Sequence, residues 1–234
     1  MRIYLKPRYI FATVGALLVI LAVTLCLCQW RLQQEARSLL SDLTTLNPGT
    51  SSSADAERLV TRQRRFLTNK DCKENSCKYW FEIRNRLLAA LYLEPPAGFF
   101  GSITVKNDTV VQIGAGLSRS MPIYPSFGAS AGSAEEYAEL PKWYARYAHG
   151  GHYSFPTPVG KPYLRVMLDS HASHEQRQHA FAFSFRCLTK IGGGCDAPCD
   201  YLPLAWIDWK ADLQKGGFPM DQFDQVYRRQ SHCK

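Results

Sequence analysis

The stretch Tyr9-Ile-Phe-Ala-Thr-Val-Gly-Ala-Leu-Leu-Val-Ile-Leu-Ala-Val-Thr-Leu-Cys-Leu-Cys28 contains no charged side chain. Twenty residues wound as a helix rise about 30 Å, the thickness of a bilayer's hydrocarbon layer. In lipid only a helix satisfies its own backbone donors and acceptors, so the run predicts a membrane-crossing helix. Tyr9 and Trp30 stand at its two ends, where amphipathic rings favour the interface, and the span is set at residues 9–30. Arg2, Lys6, Arg8 and the amino terminus precede it, whereas Arg31 and Arg37 follow it among Glu35 and Asp42. That asymmetry predicts residues 1–8 on the cytoplasmic side and the bulk of the chain outside. The apolar run exceeds a signal peptide's core, and no small-x-small cleavage site follows it. Leu25 and Leu27 stand where a lipoprotein signal would carry small residues before Cys26 or Cys28. An uncleaved anchor is therefore expected.

The formal net charge of +8 is shared unevenly. Removing the three bases before the span leaves 28 − 3 = 25 basic residues against 20 acidic ones, an excess of five over some two hundred residues. Such a mild excess suits a surface near anionic lipid or polymer and falls short of the basic stripe of a nucleic-acid binder. With 46% hydrophobic and 12% aromatic residues, the chain has the means to bury a core.

Two of the eight cysteines, Cys26 and Cys28, belong to the apolar run. The six beyond it read as three disulfides formed in an oxidising compartment, with fifteen connectivities open. Cys72 and Cys77 enclose a polar Lys-Glu-Asn-Ser turn, so local pairing is the simplest choice. Three glycines before Cys195 ease a return to Cys187, leaving Cys199 for Cys233. A zinc site is the rival reading, because Cys195 and Cys199 have a compatible spacing, but C-x2-C and a second ligand pair are absent.

Past the span, strong helix formers predict a rigid juxtamembrane helix to about Leu46, ended by Pro48-Gly49 and a Ser-rich joint, so that 31–53 form a helix and linker. A domain over residues 54–234 follows. Residues 54–67 keep helical spacing, with Arg58, Arg62 and Arg65 on the polar side facing solvent or lipid headgroups. Residues 78–84 are strand-rich. The runs 100–106 and 109–114 flank Asn107-Asp108, a two-residue hairpin turn that also carries an Asn-x-Thr glycosylation acceptor. The Gly-, Ser- and Pro-rich residues 118–133 read as a long loop. Residues 163–169 and 179–186 read as a second hairpin, in which Phe181, Phe183 and Phe185 alternate onto a core. The last forty residues, with Pro198, Pro203 and Pro219, should hold short helices. The fold class expected is α+β: an N-terminal single transmembrane helix, then a disulfide-stapled extracytoplasmic domain with an antiparallel sheet and flanking helices.

Candidate chemistry centres on His171, His174 and His179, with Asp169 and Glu175 beside them. Imidazoles gathered in one loop suit a borderline metal ion, although the H-E-x-x-H register is missing. His149 and His152 sit in an aromatic stretch whose Tyr144, Tyr147, Tyr153 and Phe155 suit either a carbohydrate or peptide platform or a core. No nucleophile elbow or phosphate loop is present, and Gly192-Gly193-Gly194 lacks the lysine such a loop needs. In its order of elements the first fifty residues resemble type IV pilins; the leader Gly-Phe pair and the acidic residue within the apolar run are missing, and nothing further is taken from the likeness. The function expected is a non-enzymatic, membrane-anchored domain, binding an unidentified envelope protein or polymer or serving a structural role, with no cofactor and no nucleic acid. The alternative is a metal sensor or metal-dependent enzyme built on the histidine loop.

Overall fold

The computed structural model describes residues 7–90, 97–119, 127–132, 145–146, 151–154, 164–168, 172–190, 195 and 197–215. Helix α1, Pro7–Thr44, is one unbroken 38-residue element. Its first part is long and apolar enough to cross a bilayer and is wholly open, with Phe11 77% and Leu17 63% exposed. Its last part behaves differently. Ala36, Leu39 and Leu43 are completely buried, and Leu46 just beyond the helix is buried too. The segment expected as a juxtamembrane rod and linker is thus half core. Burying three leucines contributes roughly 5–9 kcal/mol, far more than a free stalk would gain from helix propensity.

Six principal strands make a mostly antiparallel sheet: β1 Leu67–Lys73, β2 Ser76–Arg84, β3 Ala97–Lys106, β4 Thr109–Arg119, β5 Phe127–Gly132 and β8 Leu164–Leu168. Short β6 Ala145–Arg146 and β7 Gly151–Ser154 extend the far edge, giving the order β1-β2-β3-β4-β5-β8-β7-β6. The first five strands form an antiparallel meander, while β5 and β8 run parallel. At the β3–β4 turn both Asn107 (φ 48) and Asp108 (φ 64) are left-handed, the conformation a two-residue hairpin of matching twist requires. Register places Phe81 beside Gly101, Gly101 beside Ala115, Ala115 beside Ala129, and Ala129 beside Val166. This small-residue row makes room for α1. A Cβ on Gly101 would stand 2.7 Å from Leu43 Cδ1.

Helix α2, Ser53–Arg62, starts on a capping box in which Ser52 Oγ accepts from the Asp55 amide and Asp55 accepts from the Ser52 amide. The Ser52 amide and then the Ser52 hydroxyl, both donating to the Asp55 carboxyl, with Arg58 adding attraction, hold it below its usual range. The arginines that sequence left facing solvent or lipid are answered by carboxylates: Arg58 pairs with Asp55, Arg62 with Asp42 at 2.7 Å, and Arg65 with Glu35 at 3.2 Å. The Arg62 pair links α2 to α1, and the Arg65 pair links the turn that follows α2 to α1. Glu57 accepts from Tyr79 Oη at 2.5 Å and from Lys70 at 3.0 Å, fastening α2 to the β1–β2 hairpin.

Two expectations are overturned. Residues 179–186 form no strand. Instead α4, His174–Ala180, begins on a Ser173–Gln176 capping box, and a short extended segment leads to α5, Arg186–Thr189. The Ser184 amide donates to the Tyr201 carbonyl, so this backbone is satisfied outside the sheet. Its alternation still drops Phe181, Phe183 and Phe185 into the core, where Phe183 and Phe185 meet Phe99 edge-on at 5.7 and 5.2 Å. The strand β8 pairs with β5 and β7 instead. Residues 118–133 are likewise not all loop, because β5 runs through Gly128, Ala129, Ser130 and Ala131 at the sheet's centre. Side chains this small have poor strand propensity, but a crowded interior admits little else: a Cβ on Gly128 would already lie 3.0 Å from the Ala115 carbonyl oxygen. Helix α3, Arg86–Ala90, follows β2, and α6, Pro198–Tyr201, leads into α7, Pro203–Lys215.

Cys72 and Cys77 face each other across β1 and β2 and are disulfide-bonded, as are Cys187 and Cys195. Cys199 is also disulfide-bonded, and Cys233, its expected partner, lies outside the described residues. Among the described cysteines only Cys26 and Cys28, both in the apolar run, are free.

Candidate functional site

Where α1 leaves the sheet and α4 crosses beside it, a cleft of about 750 Å³ opens. Its floor is apolar: Leu40 and Leu46 from α1 and its end, Ile113 and Ala131 from β4 and β5, and Phe181 and Phe185 beyond α4. Its rim is polar, with Arg37, Ser41, Thr44 and Asn47 on one side and His174, Arg177 and Gln178 on the other. Arg177 reaches across to Asn47 Oδ1 at 3.4 Å, so the helix–sheet seam closes with a polar link at one point. No carboxylate is among the described residues lining the cleft. An apolar floor under a cationic, amide-rich rim suits an elongated partner segment that lays down hydrophobic side chains and offers acceptors to the rim.

The helix α4 exists because Ser173 and Gln176 satisfy each other's orphan amides, at 3.1 and 2.8 Å. It separates His174 from His179, two of the histidines read together in the sequence. His174, in the first turn, bonds Gln178 at 2.9 Å and lines the cleft. His179, five residues later, turns away and bonds Asp208 of α7 at 2.8 Å. His171, Asp169 and His149 lie outside the described residues, and His152 stands on β7. Among the described residues no three His, Cys, Asp or Glu side chains gather in a way that would hold a metal ion. A His–Asp pair could orient a general base, but among the described residues His179 bonds no hydroxyl, its side-chain partner there being Asp208. Of the aromatic platform, Tyr153 is on β7, while Tyr144, Tyr147 and Phe155 lie outside the described residues.

The chain matches no known protein family, no curated protein and no solved structure. Function must therefore be read from these residues alone. As cleft residues, Arg37 and Arg177, both on the rim, escaped sequence reasoning. The signal for the second was present as Ser173-x-x-Gln176, a helix start that would have placed Arg177 one turn along. For Arg37 the signal was the spacing of Ala36, Leu39, Leu43 and Leu46, which marks a buried stripe and hence a rim beside it.

Proposed function

We propose that this protein is a membrane-anchored domain that holds a partner at the cell envelope and performs no chemistry of its own. In this reading α1 crosses the bilayer once, its N-terminus faces the cytoplasm, and the folded part lies outside. One observation carries it: the helix that is bare and apolar in its first half becomes, without a break, the central core helix of the domain. A domain fused this way is held at one height and orientation, which serves docking and has no value for a freely diffusing catalyst. The cysteines agree, since those described in the domain are bonded while the two in the apolar run stay free, as an oxidising exterior and a lipid interior would leave them. The cleft between α1 and α4 is the place for the partner.

A tag at Lys234 tests sidedness. In intact cells, or in spheroplasts where an outer barrier exists, it should react with an impermeant label, and a shielded tag would overturn the orientation. Photo-crosslinking residues placed at Arg37 and Gln178, in the full chain in its own membrane, should join the same discrete species from both sides of the cleft. Adducts from exposed control positions but none from these two would remove the cleft from the proposal.

A further inference from the structure

We infer that the underside of the domain, where it meets the foot of the apolar helix, is a binding surface for anionic phospholipid headgroups. The inference rests on α1 being set in a bilayer, as proposed above. Gln29 is the first residue after the apolar run, and Trp30 beside it is 63% exposed, as an interfacial ring should be. At that height two pieces of the domain touch α1. Asn85 Nδ2 lies 3.4 Å from Gln29 Oε1 and donates to the Leu188 carbonyl at 2.9 Å, and Gln33 Nε2 donates to Thr189 Oγ1 at 2.5 Å. The end of β2 and the whole of α5 therefore ride within a turn or two of the bilayer surface.

What they carry there is cationic. Arg84 and Arg86 flank Asn85, Arg186 and Lys190 flank Leu188 within two residues, and Arg31 follows Gln29 by two; all five are exposed. Consecutive Cα atoms are 3.8 Å apart, so each base starts within about 8 Å of a residue already at this level. Against them stand two carboxylates, Glu82 bonded to Arg84 and Glu35 bonded to Arg31; with Lys190 set aside for its own interaction, the four arginines leave an excess of 4 − 2 = 2 positive charges among the described residues. Arg86 and Arg186 have no carboxylate partner among those residues. A folded domain pressed to a neutral surface gains nothing by collecting unpaired guanidinium groups beneath itself. Facing anionic headgroups, each cation within a Debye length gains about five-fold in association, and arginine's planar fork matches the phosphate oxygens.

The test uses the full chain in bilayers of phosphatidylcholine with trace spin-labelled phosphatidylcholine or phosphatidylglycerol. The lipid fraction immobilised by the protein gives the relative association of the two headgroups. Preference for phosphatidylglycerol is expected to be several-fold at low salt, to fall toward one at about 0.5 M salt, and to fall toward one in Arg86→Gln/Arg186→Gln. Arg86→Glu/Arg186→Glu should invert it. Both positions are exposed, and unchanged tryptophan emission verifies the fold of each variant. Equal association in the wild type, or a preference untouched by the substitutions, overturns the inference. Displacement of the labelled lipid by millimolar glycerol phosphate also overturns it, because the surface would then bind free phosphate. Release of the chain by alkaline carbonate overturns the anchoring itself, whereas a retained chain without headgroup preference removes this inference alone.

Discussion

Leu43 and Gly101 mark the point where α1 is seated on the sheet, and a double-mutant cycle there reads the seating directly. Leu43 is completely buried, and its Cδ1 occupies the space a Gly101 side chain would need: a Cβ there would meet it at 2.7 Å, with Phe81 Cβ at 3.6 Å and Leu39 Cδ2 at 3.7 Å closing the remaining sides. Leu43→Ala removes a packed side chain that cannot be replaced by collapse of a helix over a sheet, at a cost of about 3 kcal/mol. Gly101→Ala overpacks the same spot at about 2 kcal/mol, since no flexible exposed group is available to give way. If the two act independently, the double variant loses about 5 kcal/mol. The structure argues otherwise. With Leu43 truncated, the new methyl enters vacated space, and the double variant should lose about 3 kcal/mol, a coupling of about 2 kcal/mol. Denaturant unfolding of the full chain in detergent micelles, followed by tryptophan emission, measures all four corners. Losses that add within about 0.5 kcal/mol would falsify the seating of α1 on Gly101.

Three further outcomes follow from contacts already described. Replacing Cys187 and Cys195 together by serine opens a loop of separation 8 and should cost about 2.5 kcal/mol by loop entropy, measured in the same unfolding assay; no loss would mean that α5 is held by packing alone. Replacing Cys72 and Cys77, which close a loop of separation 5 on an exposed edge hairpin, should cost no more than about 2 kcal/mol, with α1's core unaffected. The third concerns Tyr79, whose hydroxyl is pushed well above the usual phenol range, first by burial and then by its bond to Glu57. A folded-state value raised in this way means stability present below about pH 10 and lost as pH rises further. Glu57 is held low by the Tyr79 and Lys70 bonds, so its contribution is present above the ordinary carboxylate range and lost in acid. Tyr79→Phe should therefore flatten both limbs of the stability–pH profile, and an unchanged alkaline limb would show that the pair is not formed.

How much of this was legible in the sequence depended on whether the deciding signal was local. The apolar run is locally legible as a helix long and apolar enough to cross a bilayer, and Asn107-Asp108 between two strand-rich runs demands the turn it makes. Elements decided by tertiary packing were the ones misread. The alternating Phe181, Phe183 and Phe185 do face a core, but an extended connector between two short helices produces the same period as a strand. The glycines and alanines of β5 looked like a loop because their smallness reports crowding by neighbouring strands, which no window of sequence contains. At the cleft, a capping box winds His174 and His179 into one helix and turns His179 toward Asp208, so the two part company despite their closeness in sequence, while His171 lies outside the described residues.

The unbroken run of α1 also makes the protein a lever. About 57 Å of continuous helix has its fulcrum wherever a bilayer grips it, and the fold above is bolted to the shaft through Leu39, Leu43 and the carboxylates of Glu35 and Asp42. A helix answers a thinning membrane by leaning. Ser41 of the cleft rim stands about 18 Å along the helix from Gln29, so a lean of about ten degrees carries the cleft sideways by about 3 Å, roughly the length of a hydrogen bond. Under the proposed anchoring, changes in lipid thickness would thus steer where a docked partner stands, with no hinge to absorb the motion.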